Sequence, residues 1–407
     1  MSTSLTIDWA PDRLPEGVHV EPHALRTHDG AAVTGLLYRC GNPSTAVCLM
    51  HPREYFGFHY LVPPLLRAGA AVWAQGSRSI GLDIRLEHEQ AILDVAAGLA
   101  TLRARGFTQI VLLGNSGGAG LFCFYNEQAE RAPADRIAKT AGGRPVPLQE
   151  AVLPAVDGVV LLAPHPGQGR LLMGCIDPSV ADEADPLSVD PALDPFSPAN
   201  GYSAEPGASR YSPDFVQRYR QAQVERVHRL DDTASELIKR RMDARKRLKS
   251  GGEVHDSRVA AHTPIMTVWR TDADLRCLDL SLDPSDRKPG SVWGADMLAS
   301  NYGAVGFGRT CTPESWLSSW SGVSSSAALE RTAPSIRCPA AVVEYTGDQT
   351  TFPSTIVDIV TWIGSAGTQR MRIRGDHHGR PLAPGETAGR TLAGDAIADW
   401  LRRHDFI

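Results

Sequence analysis

Four residues, each following an apolar run, carry the chemistry this chain offers. Ser116 sits in Gly114-Asn115-Ser116-Gly117-Gly118, which matches G-x-S-x-G. Asp348 follows in Thr346-Gly347-Asp348, and His377 and His378 in Gly375-Asp376-His377-His378. A hydroxyl is a weak nucleophile at neutral pH. It needs a base within hydrogen-bond reach, and the base needs an acid to orient it. A serine, an acid and a histidine, in that chain order, supply such a set. Their chemistry would be attack of a hydroxyl on a carbonyl carbon.

The elements that must hold these residues are legible too. Residues 109–113 read as a buried strand and 119–129 as a helix, the context this serine turn needs. Gly114 and Gly118 leave the tight turn room. The backbone N–H of Gly117 can face a developing oxyanion, aided by the positive end of the helix. A second donor is expected where residues 44–50, another buried strand, run into His51-Pro52-Arg53. Proline has no N–H, so Arg53 is the candidate, with Glu54 behind it. His51 is read as orienting this loop. The alternative is a plain strand-to-loop turn.

Around these lie 20–25 and 32–38, two strands joined through His28-Asp29-Gly30; a helix over 61–67; a strand over 70–74; and an amphipathic helix over 87–105. Residues 156–163 form the next strand, with His165 just past its end as a pocket or structural residue. Strand and helix alternate from 44 to 130, which predicts a parallel sheet covered on both faces. The alternation stops near 167 and resumes near 334. Between them lie a loop rich in Asp and Pro (177–213), one or two helices over 214–248, strands over 263–269 and 275–282, and an aromatic stretch over 290–327. That insertion is too long for a simple connection. It reads as a cap whose Trp293, Tyr302 and Trp316 line a pocket, or one that only packs on the core. Tyr55 and the aromatics after it either face a substrate or close the core. The sheet then resumes with a strand over 339–345, a helix over 352–363, a strand over 369–373 and a helix over 387–403.

At these motifs the chain resembles the α/β-hydrolase superfamily, over about residues 20–165 and 335–407. The resemblance implies an α/β fold with a mostly parallel twisted sheet, a first core part (1–166), a cap (167–333) and a second core part (334–407). It implies Ser116 as nucleophile, Asp348 as acid and a C-terminal histidine as base. The frequent Gly-x-x-His pattern selects His378; an Asp-His reading selects His377. His378 is favoured. His-Pro stands where His-Gly is frequent, which puts Arg53 in doubt as a donor. The implied activity is hydrolysis of a carboxylic ester with a bulky apolar or aromatic group. An amidase, a lactonase, a C–C hydrolase, or a non-catalytic binding protein on this scaffold are the alternatives.

Composition narrows the classes. Lys+Arg 41 against Asp+Glu 46 in 407 residues gives a net charge of -5, too mild to argue for nucleic acid or an anionic membrane. No apolar run reaches about 18 residues. Met1-Ser2-Thr3-Ser4-Leu5, with Asp8 and Asp12 behind it, has neither the basic start nor the apolar core of a secretory signal. Seven scattered cysteines without C-x-x-C fit a reducing cytoplasm. No cofactor or metal is expected. The expected partner is a small-molecule substrate, with no nucleic acid and no membrane; a homodimer is one possible assembly.

Overall fold

Eight strands form the central sheet of the computed structural model, which describes residues 13–407. The reading of residues 1–12 as no secretory signal lies outside the described residues. The first strands are β1 (His19–Arg26), β2 (Ala32–Arg39), β3 (Thr45–His51), β4 (Ala71–Gly76), β5 (Gln109–Asn115) and β6 (Gly158–Leu162). They are followed by β7 (Ala340–Tyr345) and β8 (Gln369–Ile373). The order across the sheet is β1-β2-β4-β3-β5-β6-β7-β8. β1–β2 and β2–β4 pair antiparallel, and every other pair is parallel.

The central strands are buried on both faces, so side chains alternate between two cores rather than between core and water. Ala46, Cys48 and Met50 of β3 join Ile110 and Leu112 of β5 on one face. Helices α2 (His88–Ala104), α3 (Gly117–Glu130) and α6 (Pro353–Trp362) cover that face through Ile92, Leu99, Phe122, Ile356 and Ile359. Val47 and Leu49 join Val111 and Leu113 on the other. There α1 (Val62–Ala68) and α7 (Gly389–Arg403) supply Leu65, Trp400 and Leu401.

Between β6 and β7 the chain leaves the sheet. Helix α4 (Gln168–Cys175) comes first and helix α5 (Pro213–Lys249) later. The region expected to hold one or two helices is one helix of 37 residues. Ser212 starts it: its Oγ accepts the Phe215 N–H at 3.2 Å, and Pro213 occupies the first turn. The strands expected over 263–269 and 275–282 do not form as read. Met266–Thr267 makes only a two-residue pairing with Thr310–Cys311. Leu275–Leu278 is a helical turn, because Asp274 caps it by accepting the Arg276 N–H at 3.0 Å. The insertion has its own apolar core of Leu172, Val227, Leu230, Val268, Trp316 and Trp320.

That core is tied to the sheet by buried polar bonds. The π-helical turn Trp316–Trp320 lies against the start of α2. Ser318 Oγ accepts the His88 N–H at 2.9 Å and donates to Glu89. Ser319 Oγ bonds the His88 ring at 2.9 Å and the Leu86 carbonyl at 2.8 Å.

Candidate active site

The turn from β5 into α3 presents Ser116. Its backbone has φ 53°, a strained conformation for a residue with a side chain. Neighbouring glycines make this possible. A Cβ on Gly114 would meet the Ala119 backbone at 2.7 Å, and one on Gly118 would meet the Met50 carbonyl oxygen at 2.5 Å. The Ser116 N–H donates to Leu162 O at 2.9 Å, which ties the turn to β6.

Asp348 follows β7. Its Oδ1 accepts the N–H groups of Thr350 (2.6 Å) and Thr351 (3.0 Å), leaving Oδ2 free to face the next loop. That loop follows β8. Asp376 Oδ1 accepts the N–H groups of His378 (2.9 Å) and Arg380 (2.8 Å), which fixes its path. On this path residue 377 faces the serine. His377 Nδ1 lies 2.8 Å from Asp348 Oδ2, and His377 Nε2 lies 3.0 Å from Ser116 Oγ. Burial disfavours the His377 cation, but the Asp348 charge and hydrogen bond outweigh it and raise the pKa above its usual value.

The geometry therefore corrects the preference for His378, whose backbone is held by Asp376 and whose ring stands beside the row. Its ring centroid is 5.2 Å from that of His377. Burial and the neighbouring His377 charge push its pKa down to about 3.

The Arg53 reading is corrected as well. The N–H groups of Arg53 and Glu54 both donate to His51 Nδ1, at 3.1 and 2.9 Å, and so do not face the serine. The Arg53 guanidinium instead grips both oxygens of Asp83 at 2.8 and 2.7 Å and lies 5.5 Å from the Trp320 ring centroid. Gly117 is the first residue of α3, where no carbonyl of the preceding turn accepts its N–H.

A cleft opens above Ser116, lined by core and insertion together. Phe56, Tyr60, Trp293 and Phe307 supply its apolar walls. Trp293 is thus placed at the site, with its ring edge-on to Phe307 at 5.0 Å. The other three expected lining residues lie elsewhere. Trp316 is fully buried in the insertion's core, its Nε1 donating to Asp231 at 2.7 Å. The Tyr302 hydroxyl accepts from Arg270 at 2.7 Å in a separate surface depression. Tyr55 turns back against Gly57 and Phe58. Phe56 and Tyr60, left open between substrate and core, and Phe307 of the aromatic stretch line the cleft, whereas His51 was read only as orienting its loop. Their place at strand ends and in the aromatic stretches was the available signal. Four polar atoms in residues lining the cleft, Gln168 Oε1, Trp293 Nε1, Thr350 Oγ1 and His378 Nε2, are buried without a hydrogen-bond partner among the described residues.

No described protein family matches the chain, and no curated protein sequence does. Solved structures overlay loosely on it. The esterase from Pyrococcus furiosus is 10% identical, with 98% of each chain covered and a TM-score of 0.45. An α/β-hydrolase from Penicillium sp. is 10% identical over 95% of this chain and 97% of its own, at a TM-score of 0.45. Brefeldin A esterase, described as a bacterial homologue of human hormone-sensitive lipase, is 12% identical over 99% of this chain and 81% of its own, at 0.47. The mixed sheet with its parallel centre, the serine turn after β5 and the insertion between β6 and β7 give this chain the α/β-hydrolase fold.

Proposed function

We propose that the chain is a serine hydrolase acting on carboxylic esters. The observation that carries this is the row Ser116–His377–Asp348, with contacts of 3.0 and 2.8 Å. His377 Nε2 takes the Ser116 proton as Oγ attacks the ester carbonyl. Asp348 holds the ring with Nδ1–H toward it and stabilises the imidazolium. The Gly117 N–H faces the oxyanion. His377 then returns the proton to the leaving alcohol, and water activated by the same ring cleaves the acyl-enzyme.

Phe56, Tyr60, Trp293 and Phe307 fit an apolar or aromatic acyl group. The unpartnered polar atoms of Trp293, Thr350 and His378 favour a substrate that also carries hydrogen-bonding substituents. The insertion, residues 167–333, acts as a cap that shields the reacting groups from bulk solvent. The seven cysteines are all unpaired, which supports a cytoplasmic setting.

A fluorophosphonate probe tests the reading. Mass spectrometry is expected to find it on Ser116, and p-nitrophenyl esters are expected to be hydrolysed. Ser116→Ala should lose both while melting as the wild type does. Full ester hydrolysis by Ser116→Ala would end the proposal.

A further inference from the structure

In the turn after β3, His51 Nδ1 accepts the N–H groups of both Arg53 and Glu54, so neither is directed at an oxyanion. A neutral imidazole that accepts at Nδ1 carries its hydrogen on Nε2. The same arrangement recurs on the other side of the serine. There His165 Nδ1 accepts the Gly167 N–H at 3.3 Å, which again leaves the hydrogen on Nε2. His51 ends β3 and His165 follows β6, and these two strands flank β5. Ala163, with φ 43°, turns the chain out of β6 just before His165.

The two Nε2 atoms converge. A Cβ built on Gly117 would lie 2.5 Å from His51 Nε2 and 3.3 Å from His165 Nε2. The space beside the residue after the serine, which a side chain would otherwise fill, is thus occupied by two imidazole edges. Both residues line the cleft. The hydrogen bonds shown by the two rings all run through Nδ1.

We propose that His51 and His165 donate their Nε2–H groups to the oxyanion formed at Ser116, completing with the Gly117 N–H a hole made largely of side chains. The proposal rests on the serine-hydrolase reading above. Each ring supplies a hydrogen bond and no proton, so it stays neutral throughout. Burial holds both pKa values down, His165 at about 3 and His51 well below its usual value. A neutral imidazole is a suitable donor here, because it polarises a carbonyl without adding a buried charge.

Isosteric amides separate the two nitrogens. Asparagine places an oxygen near Nδ1 and keeps the turn's acceptor. Glutamine places an amide near Nε2 and keeps the donor. His51→Asn is expected to lower kcat on a p-nitrophenyl ester by about 10²-fold with KM within twofold of wild type. His51→Gln should recover at least tenfold of that loss, and His165→Asn should behave as His51→Asn does. If both asparagine variants keep kcat within threefold of wild type, singly and combined, the proposal is overturned. Should either variant fail to fold, the structure of the wild-type diethylphosphoryl adduct decides. A phosphoryl oxygen within about 3 Å of either Nε2 supports the hole, and one bonded only to the Gly117 N–H overturns it. A wild-type enzyme that takes no label at Ser116 fails the serine-hydrolase reading itself. A labelled enzyme with fully active asparagine variants fails this inference alone.

Discussion

Two adjacent histidines differ here by which one the loop turns toward the serine. Asp376 takes the backbone N–H of His378, so His377 enters the row. With a raised pKa, His377 is charged and idle as a base at low pH and neutral at high pH. Ester kcat/KM should rise with unit slope through an apparent pKa above 6.5 and then level off. His377→Gln should abolish the titration along with activity, whereas His378→Gln should keep its position. Asp348→Asn should lower kcat about 10⁴-fold by favouring the wrong tautomer. Little of this was legible beforehand. The motifs named the residue types and their order. The choice between neighbouring rings depends on an Asp side chain that bonds backbone two residues on. Arg53 fell to the same kind of effect, because a ring folded back on its own turn consumed the N–H that position implied.

At the scale of elements, the serine turn is a packing problem. Gly118→Ala would drive a methyl against the Met50 carbonyl, which is backbone and cannot swing aside. A loss of about 1–3 kcal/mol is expected in chemical denaturation. Gly117→Ala would push on the His51 ring instead. It should therefore cost activity more than stability, and a melting curve beside ester kinetics separates the two. The buried strands and amphipathic helices were readable because their periods are strong. The segment 177–213 was readable as loop for a local reason: Asp177, Asp182, Asp185, Asp190 and Asp194 each accept the N–H two residues ahead. Residues 275–278 were not readable, since a short apolar run fits a strand or a helix until Asp274 caps it.

For the whole molecule, cap and sheet share the cleft. Trp293→Ala and Phe307→Ala should each raise KM for aromatic p-nitrophenyl esters by about tenfold more than for the acetate. Acid is the molecule's exposed side. Burial holds His59 at about 4 despite its bond to Asn115. Between pH 6.5 and 4 the unfolded chain therefore binds a proton there that the folded chain refuses, and stability falls as pH falls. The slope is about 1.4 kcal/mol per pH unit for one such ring. His88 is also held at about 4, and His165 and His378 at about 3. Glu89, raised by burial to about 7, and Asp94, raised to about 6, act in the opposite sense. His59→Gln isolates one contribution: urea titrations at pH 6.5 and 4.5 should show a shallower pH slope than wild type by about that amount.

The serines at 318 and 319 have one more consequence. They rivet the roof to the floor along one side, through bonds sealed from water that mild heat or salt would not loosen. The roof is fastened again beside Trp293, where Gln349 Nε2 donates to the carbonyls of Lys288 and Gly290 at 3.1 Å each. With both edges held, Trp293 and Phe307 stand as fixed walls of the cleft.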